Sequence, residues 1–134
     1  MSSPKVAFLY PTTTQNNQGV SKPVLVYDFP ELPFASDIHF QAYFIGFKHD
    51  EPYWISYQLF KEDSRPTSPL LEKGVWLRAR GEKDDNDLSA AAGLSLGEFT
   101  FNESGHYFIK ATIHHNNAPL HSQNSYFKVE LVNE

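Results

Sequence analysis

The sequence predicts an all-β protein, an antiparallel β-sandwich of about seven or eight strands. Three observations carry that prediction. Apolar residues recur with a period of two, turn-forming residues separate the runs at short intervals, and aromatic residues make up 15% of the chain, with 11 Phe and 7 Tyr. Aromatic and β-branched side chains fit a pleated, half-buried surface. A chain of 134 residues can bury a hydrophobic core without staples. Residues 1–134 are therefore read as one domain, with a polar, mobile connection near residues 11–23.

The elements follow in order. Short apolar runs around Val6 and Leu9, and around Val24 and Tyr27, read as weaker strands. Between them lies the polar stretch from Pro11 to Pro23, rich in Thr, Asn and Gln. The prolines of Phe29-Pro30-Glu31-Leu32-Pro33 favour extended backbone. Ile38, Phe40, Ala42 and Phe44 then alternate with polar residues, as do Ile55, Tyr57 and Leu59, and Val75, Leu77 and Ala79. Each set is one inward face of a strand. Residues 48–52 and 61–74 read as loops. Asp87 is placed to cap one helical turn over Leu88-Ser89-Ala90-Ala91-Ala92, with Gly93 as its stop. Leu94 and Leu96 are out of phase with Phe99 and Phe101, and Gly97 between them predicts a bulge that flips the phase. Tyr107, Ile109, Ala111 and Ile113 alternate inward, then Phe127, Val129 and Leu131, with a hairpin tip over Asn116-Asn117-Ala118-Pro119.

Glu103-Ser104-Gly105-His106-Tyr107-Phe108-Ile109 resembles the entry to strand F of immunoglobulin-like domains, Asp-x-Gly/Ala-x-Tyr-x-Cys. The resemblance is at the level of fold, and fold does not transfer function. It implies that Tyr107 is a buried corner whose hydroxyl bonds backbone within residues 98–102. It also implies that Ile109 and Phe44 stand at the two disulfide positions and Tyr57 at the core aromatic. The chain has no Cys, so apolar packing must replace the cross-link.

Composition narrows the function classes. Without Cys there is no disulfide framework, thiol nucleophile or Cys-ligated metal. A net charge of −5, from 11 Lys and Arg against 16 Asp and Glu, disfavours a nucleic-acid partner, which wants a basic stripe. No apolar run approaches the ~20 residues of a membrane-spanning helix, and no signal peptide is visible at the start, so a cytoplasmic location and no membrane partner are expected. No cofactor is implied, because phosphate-loop and dinucleotide motifs are missing.

His114 and His121 flank the hairpin tip. With a four-residue loop they would face each other with Cβ atoms ~4.5–5.5 Å apart, a weak metal pair that still wants further ligands. A two-residue Asn-Asn turn would change that partner. Residues 82–87 are rich in oxygen donors, but counting from Asp85 the sixth position is Ala90 and the twelfth Leu96, which breaks the calcium-loop pattern. Ser104 lies near His106, without a nucleophile elbow. Trp76, Arg78 and Arg80 share one phase, as on an edge strand guarded by charge.

The strongest signal is aromatic side chains on the outward phase. Trp54, Phe60, Phe108 and Tyr126 fall outside the core on strands expected to share a sheet. Clustered outward aromatics mark interaction surfaces, unless the chain's own 11–23 segment covers them. The sequence thus points to a non-catalytic protein-interaction or assembly module, self-associating through this face. The alternative is a small-ligand or carbohydrate-binding domain stacking sugars on Tyr43, Trp54 and Trp76. Strand phase puts Ile109 in the core, so Ile109→Ala is expected to lower unfolding free energy by about 2–5 kcal/mol. Chemical denaturation measures this. An unchanged midpoint would mean the phase of that strand is reversed.

Overall fold

In a computed structural model, residues 3–12, 22–62 and 68–132 are described, and their alternation resolves into two facing sheets. Eight strands follow one another: β1 (Lys5–Thr12), β2 (Val26–Phe29), β3 (Phe34–Phe47), β4 (Tyr53–Lys61), β5 (Leu71–Leu77), β6 (Leu88–Phe101), β7 (Gly105–His115) and β8 (Ala118–Leu131). One sheet has the order β1-β3-β6 and the other β2-β8-β7-β4-β5. Neighbouring strands are antiparallel except β2, which runs parallel to β8. The protein is an all-β sandwich.

The core lies where the two inward phases meet. Ile38, Phe40, Ala42 and Phe44 of β3 face Ile55, Tyr57 and Leu59 of β4 and Tyr107, Ile109, Ala111 and Ile113 of β7, all buried. Phe44, Tyr57 and Ile109 are 1%, 0% and 0% exposed, in the core as expected. The ring against Tyr57 is that of Phe40, with centroids 4.7 Å apart, while Phe44 stacks on Phe47 at 5.5 Å. Leu131 keeps the inward phase but is 43% exposed, because β8 ends there.

Two side-chain bonds to backbone lace the open sides of the sandwich. On one side Val6 N donates to Nδ1 of His121 at 3.1 Å, joining β1 to β8. On the other, Lys73 Nζ of β5 donates to the carbonyl of Ser95 in β6 at 2.8 Å.

The helical turn expected over residues 88–92 does not form. These residues are the first half of β6, paired with β3 through Leu88↔Phe47, Ala90↔Phe44 and Ala92↔Ala42. One isolated helical turn has little stability of its own. A ladder with β3 satisfies every second backbone group and buries Leu88, Ala90 and Ala92 against the core. The expected bulge is present. Ile38 pairs with Gly97 and His39 with Ser95, leaving Leu96 as the extra residue. Gly97 has φ +94°, a conformation that costs a residue with Cβ. Leu96 and Phe101 can therefore both be buried although they are out of phase.

Residues 30–33 form a bend with a cis Leu32–Pro33 peptide, not the extended run that their prolines suggested. β2 and β3 lie in different sheets and the rings of Phe29 and Phe34 stack at 4.5 Å, so the chain between them must turn rather than run straight on. β5 begins at Leu71, so the loop expected to reach Gly74 ends sooner. Of the 11–23 connection, Pro11 and Thr12 belong to β1 and Thr12 bridges to Pro23; residues 13–21 lie outside the described residues.

Tyr107 is 2% exposed, and its hydroxyl donates to the carbonyl of Glu103 at 2.7 Å. The acceptor lies just past the 98–102 window expected from the motif. The ring meets Phe101 edge-on at 5.2 Å and stacks on Phe127 at 5.7 Å. Tyr57 and Tyr27 differ: their hydroxyl oxygens are buried with no hydrogen-bond partner among the described residues. Burial pushes the Tyr27 phenol up to about 12 and raises that of Tyr57 as well. The two kinds of tyrosine should separate in mutagenesis. Tyr107→Phe is expected to lose about 1 kcal/mol, a satisfied buried hydrogen bond. Tyr57→Phe removes an unpaired hydroxyl, so its urea midpoint should equal or exceed that of the parent. A large loss at Tyr57 would show that its hydroxyl is bonded.

Candidate functional site

The outward face of the five-stranded sheet carries the side chains that the core does not use. Cross-strand register sets them in rows. At one end, Trp76, Trp54 and His114 line up across β5, β4 and β7. Next come Gly74, Ser56, Thr112 and Ser122, then Glu72, Gln58, Lys110 and Asn124. At the far end lie Phe60, Phe108 and Tyr126. Six residues separate Trp54 from Phe60 along β4, about 20 Å at ~3.3 Å per residue. The four aromatics expected to form one patch therefore divide into two groups with polar rows between them.

The far group is in mutual contact. Phe60 and Phe108 stack with centroids 5.2 Å apart, and Phe108 meets Tyr126 at 5.3 Å. Phe60 and Phe108 are half-buried, and Tyr126 is 50% exposed. Val26, exposed on β2, lies beside Lys128 on the next row. Charge of both signs surrounds the rings: Lys110, Lys128 and Glu130, with Lys128 paired to Glu130. That pairing holds the Glu130 carboxyl below the usual carboxylate range.

At the near end, Trp54 and Trp76 meet edge to face, centroids 5.2 Å apart and planes at 63°. Gly74 makes this possible. A Cβ at that position would lie 2.0 Å from Cζ2 of Trp54, so the indole occupies the space that any other residue would fill. His114 is fixed by a 3.1 Å bond between its Nε2 and Oγ of Ser56. Beyond it the chain reverses through Asn116 and Asn117, both left-handed at φ 53° and 66°. This is the two-residue hairpin turn whose twist suits the flanking strands. Trp54, Trp76, His114, Asn116 and Asn117 line a cleft of about 490 Å³.

Several sequence expectations change here. The two-residue turn and a bulge after Ile113 pair His121 with Ile113 and His114 with Pro119. His114 and His121 therefore do not face each other, and Nδ1 of His121 is engaged by Val6. They form no metal pair; among the described residues no group of three or more His, Cys, Asp or Glu could hold a metal ion. Asp85 accepts from Glu82 N and its carbonyl accepts from His49 N, so the acidic stretch is a tied turn. Arg78 and Arg80 both approach Asp50 Oδ1, at 3.6 Å. Tyr43 belongs to the other sheet, stacked on Phe8 at 4.6 Å, and cannot share a platform with Trp54 and Trp76. The Phe8, Tyr10 and Tyr43 stack was missed in the sequence because a bulge between Val6 and Phe8 breaks the alternation of β1. The serine that pairs with a histidine is Ser56, not Ser104. Both Ser56 and His114 sit on outward phases, the one signal that pointed to them.

No family model matches the sequence, and no curated protein matches it. In fold, the chain is similar to a bacterial adhesin from Mobiluncus mulieris, described as containing intramolecular disulfide, isopeptide and ester bond cross-links. The TM-score is 0.62 at 8% identity, over 96% of this chain and 58% of the adhesin chain. This chain spans little more than half of that neighbour's length, and the likeness is one of fold. The neighbour's disulfide has no counterpart in a chain without Cys.

The Gly74 contact is open to test. Gly74→Ala is expected to expel the Trp54 indole, red-shifting the tryptophan emission while the far-ultraviolet strand signal stays. An unaltered emission spectrum would show that Trp54 does not rest on Gly74.

Proposed function

We propose that the chain is a non-catalytic protein-interaction module of immunoglobulin-like type that self-associates through the Phe60, Phe108 and Tyr126 end of its five-stranded sheet. The observation that carries this reading is three contacting aromatic rings on an outward phase, at 5.2 and 5.3 Å, with half of Tyr126 in water. A solvated sheet face is ordinarily polar at such positions. Aromatic side chains bury large areas with few rotatable bonds and anchor interfaces.

A two-fold interface needs a patch complementary to itself. An apolar centre meets that need, and on its rim the Lys128–Glu130 pair can meet its counterpart on a second copy. The immunoglobulin-like assignment is supported by strand order. β1-β3-β6 and β2-β8-β7-β4-β5 follow the order A-B-E and A′-G-F-C-C′, with Tyr107 at the corner before strand F. The sandwich shared with an adhesin suits a recognition role, although one fold serves many uses.

Light scattering of the full chain over a concentration series tests the reading. The expected result is a mass that rises with concentration for the parent and stays monomeric for Phe108→Glu and for Tyr126→Glu, with melting temperatures unchanged. A parent that is monomeric throughout overturns self-association. Loss of folding in both variants, with the parent's association retained at lower temperature, would assign the rings to the fold.

A further inference from the structure

The near end of the same face carries a second arrangement that the association reading does not use. Two indoles, an imidazole and two carboxamides surround one cleft of about 490 Å³, within the size range of small-ligand sites. We propose that this cleft binds a neutral saccharide, one sugar ring lying on Trp76 and its hydroxyls meeting Asn116, Asn117 and His114.

The apolar wall is built rather than accidental. Trp76 is 67% exposed, yet its ring is braced by Trp54 at 5.2 Å, and Trp54 is seated over Gly74. A pyranose has one face of C–H groups, and the electron-rich face of an indole suits it. The polar wall matches the rest of such a ring. Each Asn offers an acceptor oxygen and a two-hydrogen donor, and a sugar hydroxyl both donates and accepts. The left-handed turn fixes where both carboxamides begin, and Ser56 fixes the imidazole of His114.

Charge selects the ligand class. Among the described residues no Asp, Glu, Lys or Arg lines the cleft, and the chain as a whole is at −5. Phosphate esters, nucleotides and acidic sugars would find no cation there. A wholly apolar ligand would leave the amides and the imidazole unpaired, which is costly once water is displaced. A neutral polyol with one apolar face satisfies both walls.

The chain has 2 Trp, and both line the cleft, so its tryptophan emission reports on this site alone. The experiment titrates the full chain with methyl glycosides of neutral hexoses and N-acetylhexosamines, and probes an array of immobilised neutral, sialylated and sulfated oligosaccharides. The first arm reads a free sugar and the second a surface-attached glycan. The expected result is a saturable emission change with at least one free neutral saccharide, or capture of the chain by at least one immobilised neutral glycan. Trp76→Ala should weaken that binding about tenfold or more. Asn117→Gly, which keeps the left-handed turn, should weaken it severalfold. Phe108→Glu should bind sugar as the parent does, so failure of the association reading leaves this result untouched. No response to any saccharide, a response to acidic glycans alone, or undiminished binding by Trp76→Ala would each overturn the proposal.

Discussion

Aromatic rings meeting across the gap between two sheets hold this sandwich together, and most other features answer to that contact. Phe40 packs on Tyr57 in the middle of the layer, and Phe101 meets Tyr107 and Phe127 at one end. No disulfide ties one sheet to the other, because the chain has no Cys. Interdigitation of this kind tolerates little error in phase: a slip of one residue would turn a whole inward set toward water. Irregularities in β1, β3, β6 and β8 interrupt strict alternation, and the one in β6 lets Leu96 and Phe101 both face inward.

The same constraint explains what could be read from the chain. Period two sufficed for β3, β4 and β7 because one face of each is buried throughout. Gly97 announced its bulge, since the leucines before it and the phenylalanines after it disagree in phase. Tyr107 was legible from seven residues of local motif. The stretch Leu88-Ser89-Ala90-Ala91-Ala92 was not, because alanine favours a helix on its own and only the unseen edge of β3 makes it a strand.

The candidate sites divide in the same manner. That Trp54, Trp76, Phe60, Phe108 and Tyr126 face outward is a local fact of alternation. That they form two groups about 20 Å apart depends on register between strands distant in sequence, which alternation does not contain. Asn116 and Asn117 were seen as a turn, but their place beside two indoles follows from the pairing of β5 with β4 and of β4 with β7. Tyr43 faced outward too, on a sheet that points the other way.

Among the described residues β6 ends its sheet, and residues 88–97 of it carry no charged side chain. An open strand of this kind is a template on which another chain can crystallise in register, the first step of fibre growth. Lys73 places an ammonium from the opposite layer on the carbonyl of Ser95, part-way along that rim. Any incoming strand must evict a solvated cation from that carbonyl before it can pair there. One lysine thus contributes to the colloidal behaviour of the protein as well as to closing the side of the sandwich.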